Sequence, residues 1–196
     1  MFSGIVATVG RIVRSVPLEK GVRLTVDAGT LGLADVAVGD SIAVSGICLT
    51  VIAKEGESFS VDVSHETLRC TAGLTEAAEV NLEKALTLAD RLGGHLVTGH
   101  VDGVGEVVRF ERVGESRELA VRVPAELAKY VARKGSITID GVSLTVNEVQ
   151  GAEFAVNLIP HTLDVTTLKH LAPGAKVNLE VDLIARYVER ILSASQ

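Results

Sequence analysis

Ser45-Gly46-Ile47-Cys48-Leu49-Thr50-Val51 and Asp140-Gly141-Val142-Ser143-Leu144-Thr145-Val146 are two versions of one segment, 95 residues apart. Gly46 meets Gly141, and Leu49-Thr50-Val51 meets Leu144-Thr145-Val146. Working outward at the same spacing, Gly4 meets Gly99, Val6 meets Val101 and Val9-Gly10 meets Val104-Gly105. Thr67-Leu68 meets Thr162-Leu163, and Thr71 meets Thr166. After a two-residue slip, Val80-Asn81-Leu82-Glu83 meets Val177-Asn178-Leu179-Glu180. Such an ordered series identifies a tandem duplication, roughly 1–88 and 97–183, joined near Arg91-Leu92-Gly93-Gly94.

Within each copy the period is two. Val22-Arg23-Leu24-Thr25-Val26, Ser60-Val61-Asp62-Val63 and Glu118-Leu119-Ala120-Val121-Arg122-Val123 all alternate. Glycines at Gly56 and Gly151 punctuate short strands, which predicts an antiparallel barrel or sandwich. A copy of this size suits a small closed barrel, which leaves no free sheet edge. One helix is expected in the second copy, opened by Pro124 and closed by Gly135 after Lys129, Arg133 and Lys134. A weaker counterpart falls around Leu31 to Val38. From Asp182 to Leu192 the period becomes helical, with apolar side chains on one face. A helix this short must pack on something, either its own barrel or other subunits.

Composition narrows the function. The net charge of −6 and the lack of any basic block exclude nucleic acid as a main partner. No stretch reaches the length of a membrane span, and the first residues lack the pattern of a signal peptide. Two cysteines, Cys48 and Cys70, are too few for a disulfide framework, so a reducing cytoplasm is expected. The five histidines lack zinc-site spacing, and no metal is expected.

Residues that the copies share carry a mainly structural reading: Ser41 with Ser136, Thr50 with Thr145, Thr67 with Thr162. Positions where they differ are more informative. Cys48 faces Ser143, Phe2 faces Val97, Ile5 faces His100, Gly39 faces Lys134 and, after the slip, Ala85 faces Asp182. Bland readings stand beside each. A lone Cys in a strand is usually a small core residue, which is where Cys70 is placed, but a Ser partner argues for a pocket wall at Cys48. Phe2 reads first as a core plug, Lys134 as a helix-dipole charge and Asp182 as a helix N-cap. From the residues alone the expectation is two tandem small barrels that bind two similar ligands.

The motifs go further. Met1-Phe2-Ser3-Gly4-Ile5-Val6, Ser45 to Val51, and Glu66-Thr67-Leu68 resemble the riboflavin synthase (alpha-chain) family. So do Gly93-Gly94-His95-Leu96-Val97-Thr98-Gly99-His100-Val101-Asp102-Gly103 and Lys134-Gly135. Asp140 to Val146, Ile159-Pro160-His161-Thr162-Leu163 and Val177 to Asp182 complete the match, in order and with family spacing. Two departures are Ser45, where the family commonly has Asn, and Thr98, where it commonly has Ser. Both keep a polar group of similar reach.

The resemblance implies an all-β fold with a C-terminal helix. It comprises two pseudo-symmetric six-stranded Greek-key barrels, 1–96 and 97–183, and a helix over 184–196 that holds a homotrimer together. It implies a transferase without a cofactor. Two molecules of 6,7-dimethyl-8-ribityllumazine dismutate by four-carbon transfer, giving riboflavin and 5-amino-6-ribitylamino-pyrimidinedione. Sites would be shared between the first barrel of one subunit and the second barrel of the next. A first pocket would use Gly4, Ile5 and Val6, then Cys48, Leu49 and Thr50, then Asp62, Val63, Ser64, His65, Glu66 and Thr67. A second would use Gly99, His100, Val101, Lys134, Ser143, Leu144 and Thr145, then Leu158, Ile159, Pro160, His161, Thr162 and Leu163. Phe2 would close over a ring, and Ser41, Cys48, His100 and Asp182 would assist addition and proton movement at the acidic methyl group. The alternative is a non-catalytic lumazine-binding antenna protein, a branch whose members have lost parts of this constellation.

Overall fold

A computed structural model describes residues 1–194; Ser195 and Gln196, the end of the expected helical tail, lie outside the described residues. The first copy forms β1 (Thr8–Leu18), β2 (Gly21–Asp27), β3 (Ser41–Val44), β4 (Ile47–Glu55), β5 (Ser58–Ser64), helix α1 (His65–Cys70) and β6 (Glu79–Lys84). The second repeats it as β7 (Gly103–Val113), β8 (Ser116–Arg122), β9 (Ser136–Ile139), β10 (Val142–Gln150), β11 (Glu153–Leu158), helix α2 (Pro160–Val165) and β12 (Lys176–Val181). Helix α3 (Leu183–Ser193) follows. Both sheets are antiparallel and close on themselves, in the order β1-β2-β5-β4-β3-β6 and its equivalent β7-β8-β11-β10-β9-β12. No described helix is long and apolar enough to cross a membrane.

The repeat extends to irregularities. Register shifts fall between Ile12 and Arg14 and between Val51 and Ala53. They recur between Val107 and Arg109 and between Val146 and Glu148, 95 residues on. Such bulges bend a sheet, and their placement in matching strands curls both into barrels. Each barrel has its own core: Ile12, Leu24, Phe59 and Leu82 fill the first, and Leu119, Ile139, Val156 and Leu179 fill the second.

The barrels meet across a local two-fold at the two quoted turns. Ser45-Gly46 and Asp140-Gly141 all have positive φ (45°, 82°, 47° and 80°), the hairpin conformation their sequences favour. A Cβ on Gly46 would lie 2.7 Å from the Gly141 nitrogen, and one on Gly141 would lie 2.7 Å from the Gly46 nitrogen. Only glycine lets the backbones approach this closely. Two buried asparagines staple the contact. Asn81 donates to the Asp140 carbonyl and Asn178 to the Ser45 carbonyl, at 2.9 and 3.1 Å.

Four local expectations are corrected. The stretch Pro124–Gly135 is no α-helix but a short 3-10 turn over Ala128–Tyr130. Its bonds run three residues back, Leu127 to Pro124 and Tyr130 to Leu127, because Leu127 must turn into the barrel core. Lys134 is therefore no helix-terminal charge; it takes the left-handed conformation (φ 68°) where its counterpart is Gly39 (φ 100°). Residues Leu31 to Val38 form turns and no helix. Cys70 is exposed at the end of α1, where its thiol donates to Glu66, so it is not in a core.

Candidate functional site

On β4 and β10 the alternation settles which side chains face out. Ile47, Leu49 and Val51 fill the first core, and Val142, Leu144 and Val146 fill the second. Cys48, Thr50, Ser143 and Thr145 therefore lie on the outer walls. Register adds their neighbours. Ser41 pairs with Thr50 and Ala43 with Cys48; Ser136 pairs with Thr145 and Thr138 with Ser143. Cross-strand partners share a face, so each barrel carries a small polar patch on its outside.

Beside each patch the sheet opens. The β4–β5 ladder runs only to Val51–Val61, and the β10–β11 ladder only to Val146–Val156. Beyond those pairs, Cys48–Thr50 face Asp62–Ser64 without cross-strand pairing, and Ser143–Thr145 face Asn157 and Leu158 likewise. Apart from the Cys48 and Ser143 N–H groups, which the segments leading into the barrels take up, such strand edges expose N–H and C=O groups, which suits recognition of a flat ring edge rich in donors and acceptors. The short helices α1 and α2 cap these seams. Ser64 Oγ accepts from the Thr67 N–H at 3.1 Å, while Pro160 occupies the first turn of α2. Asp62 is held by Nε and Nη2 of Arg23, at 2.7 and 2.9 Å, which keeps its carboxyl below the usual range. Asn157, exposed at the matching position of the second seam, was not anticipated; the 95-residue offset from Asp62 is the signal that locates it.

The structure regroups the expected pockets, because the segment leading into each barrel crosses to the other. The Gly4 carbonyl accepts from the Ser143 N–H, and the Gly99 carbonyl from the Cys48 N–H, both at 2.8 Å. A Cβ on Gly4 would sit 2.6 Å from that of Ser143, and one on Gly99 2.6 Å from that of Cys48. Val6 packs on the second core and Val101 on the first. Gly4, Ile5 and Val6 thus belong beside Ser143, while Gly99, His100 and Val101 belong beside Cys48. The resemblance groups Gly4, Ile5 and Val6 with Cys48 instead, and Gly99, His100 and Val101 with Ser143.

Two buried carboxylates lock this exchange. Glu83 accepts from the Ser3 N–H and hydroxyl at 2.7 Å each and from the Gly4 N–H at 3.0 Å. Glu180 accepts from the Thr98 N–H and hydroxyl at 2.7 Å each and from the Gly99 N–H at 2.9 Å. Burial pushes the Glu83 carboxyl up, and its three donors oppose that rise.

Other expected site residues fall as follows. Leu49, Val63, Leu144 and Leu158 point into the cores, so they have only backbone to offer a ligand. Phe2 is fully buried among Ala43, Val97 and Cys48, and is no lid in this chain. Its N–H donates to the Val97 carbonyl at 2.7 Å, which tucks the ring beneath Cys48. Ser41 is half-buried at the edge of the first patch. Asp182 caps α3, Oδ1 accepting from the Ile184 N–H at 2.9 Å. Lys134, Ile159, Pro160 and His161 are exposed around the second patch, as are His65, Glu66 and His100 around the first; Thr67, Thr162 and Leu163 are half-buried. His95 is the residue that the sequence left unassigned: its Nδ1 lies 2.7 Å from Ser143 Oγ.

Comparison with known proteins agrees with this duplicated architecture. A family profile described as "Lumazine binding domain" matches twice, over residues 3–85 and 98–182. A riboflavin synthase of Photobacterium phosphoreum is 47% identical over 194 residues, covering 98% of this chain and 89% of its own. One of Mycobacterium bovis is 46% identical over 203 aligned positions and covers both chains completely. Among solved structures, LumP complexed with riboflavin aligns with a TM-score of 0.83 at 27% identity, over 92% of this chain and 99% of its own. LumP complexed with 6,7-dimethyl-8-(1'-D-ribityl) lumazine aligns with the same TM-score at 25% identity. With both copies matched and curated relatives aligned along its whole length, the chain belongs to the riboflavin synthase family.

Proposed function

We propose that the chain converts two molecules of 6,7-dimethyl-8-ribityllumazine into riboflavin and 5-amino-6-ribitylamino-pyrimidinedione. One substrate gives up a four-carbon unit and the other receives it. Electrons and atoms balance between the two, so no external oxidant or cofactor is called for. The observation that carries this reading is the pair of like half-sites, each an outward polar patch beside an open seam. Two like pockets are what two like substrates require. Holding both in register removes about 7–11 kcal/mol of the barrier to a bimolecular step, at the upper end of what orientation supplies.

In the first half-site, Ser41, Thr50 and Cys48 meet the ligand, with His100 alongside. In the second, Lys134, Ser143 and Thr145 do so, with Asp182 near. Because each half-site lies on the outer wall of its own barrel, a partner surface is needed to enclose it. We place that surface on a neighbouring subunit of a cytoplasmic homotrimer. Helix α3 supports this assembly: Asp102 pairs with its Arg186, and Lys129 and Tyr130 with its Glu189, fastening it to the second barrel. Ile184, Tyr187 and Leu192 stay more than 60% exposed on it, apolar surface of a kind that marks an interface.

The test is incubation with the lumazine, following its loss and the appearance of flavin fluorescence. Two molecules consumed for each riboflavin formed supports the synthase reading. Tight binding without consumption supports the antenna reading instead.

A further inference from the structure

The two half-sites differ most at one position, Cys48 against Ser143, and among the described residues only Ser143 has a histidine hydrogen-bonded to it. His95 Nδ1 is 2.7 Å from Ser143 Oγ. The backbone that carries the imidazole is held in place beside the serine. The backbone N–H of His95 donates to the Ser3 carbonyl at 3.1 Å, and Ser3 is in turn held by Glu83. A Cβ on Gly94, the residue before His95, would lie 2.2 Å from that same carbonyl and 2.8 Å from Ser143 Oγ, so the backbone there wraps closely around the serine. His95 Nε2 is buried without a hydrogen-bond partner among the described residues. In the first half-site no histidine is hydrogen-bonded to the Cys48 thiol among the described residues.

We infer that His95 is the proton acceptor behind Ser143, drawing the acidic methyl proton of the substrate in the second half-site through the serine hydroxyl. This rests on the reaction proposed above. The methyl C–H bond breaks and its electron pair moves into the ring as an exocyclic double bond. The proton passes to Ser143 Oγ as the hydroxyl's own proton passes to His95 Nδ1, so no serine anion accumulates. The lumazine anion then attacks its partner, and the imidazolium returns its proton later in the cycle.

The surroundings suit that task. Burial lowers the His95 pKa, and the nearby carboxylates of Asp182 and Glu180 oppose the drop. The ring therefore stands neutral and ready at neutral pH, while the same two carboxylates stabilise the cation once formed. The assignment also separates the half-sites by role: the second makes the carbanion, and the first, with Cys48 and no base at this position, receives it.

The experiment compares wild type, His95→Asn, Ser143→Ala and the double variant as assembled full chains. Asn keeps a group near the Nδ1 position but takes no proton. His95→Asn should lower kcat by about 100-fold, the low end for a lost general base, with KM within about threefold. It should also erase the acid limb of the kcat profile, which in wild type lies below the ordinary histidine range. Ser143→Ala should do the same, and the double variant should be no worse than either single one, as expected of residues acting as a unit. Methyl deuterium uptake from solvent, followed by NMR, should fall in parallel. His95→Asn turning over within fivefold of an active wild type, acid limb intact, overturns this inference alone. If His95→Asn fails to fold, Ser143→Ala decides: a retained acid limb overturns it equally. A wild type that binds the lumazine but never consumes it overturns the proposed reaction, and this inference with it.

Discussion

The first barrel and the second have the same turns, the same bulges and the same buried glutamate clamp, yet they differ where chemistry is at stake. Ser45-Gly46 and Asp140-Gly141 adopt one backbone conformation, and Glu83 and Glu180 make the same three hydrogen bonds. Against that background, Cys48 opposes Ser143 and Gly39 opposes Lys134, and among the described residues only Ser143 of the first pair has a histidine hydrogen-bonded to it. What the copies share is explained by folding one barrel twice. What they do not share needs a second explanation, and these residues gather at the two seams. The Gly39–Lys134 pair is instructive: the backbone is left-handed in both, and a lysine tolerates there a conformation that glycine takes freely. Strain accepted at one copy and avoided at the other points to a side chain that is needed.

The strongest way to break this comparison is to cripple the barrels separately. Cys48→Ala with His100→Ala disables the first half-site as the crossing segments define it, and Lys134→Ala with Ser143→Ala disables the second. Each variant should lose about two orders of magnitude or more in turnover. Co-expressed, the two should recover activity if sites lie between subunits. In a head-to-tail ring of three, roughly a quarter of interfaces then join two intact halves. Recovery no greater than the sum of the separate variants, with both shown to assemble, would mean that each site lies within one chain.

A smaller effect should distinguish the two turns. At the barrel–barrel contact Ser45 is neutral, whereas burial raises the Asp140 carboxyl to about 7, against the pull of the Asn178 N–H on it. The unfolded chain holds that carboxyl near 3.9. A raised acid pKa favours the folded state while the group is protonated, so this contribution is present at low pH. It is lost as pH climbs from about 4 through about 7. Asp140→Asn keeps the acceptor without the charge. Its Tm should exceed that of wild type at pH 8, and the gap should close toward pH 4. Melting curves with a pH-independent gap would show that Asp140 stays ionised throughout.

The smallest effect separates the cysteines. Cys70 is exposed on α1 and Cys48 half-buried beside Gly99. Cys70→Ala should shift stability by no more than about 0.5 kcal/mol, as surface changes do, and leave turnover unchanged. A fall in kcat matching that of Cys48→Ala would place α1 much closer to the reacting atoms than its exposed thiol implies.

The sequence by itself determined the duplication, the strand period and which residues face each core, because these depend on local alternation and on an offset that runs the length of the chain. Val51 and Val146 point inward and Thr50 and Thr145 outward on that basis alone. It also placed α3, whose apolar side chains recur at helical spacing. Short elements were beyond its reach. The helices α1 and α2 span only six residues each, too few for a period to show, and the turn at Ala128–Tyr130 follows from Leu127 seeking the core. Only the tertiary structure decided which residues share a half-site. Gly4 meets Ser143 and Gly99 meets Cys48 because each leading segment crosses to the other barrel, and strand alternation carries no information about which barrel a segment joins. His95 became visible for the same reason: its partner Ser143 lies 48 residues away and comes within reach only when the second barrel closes.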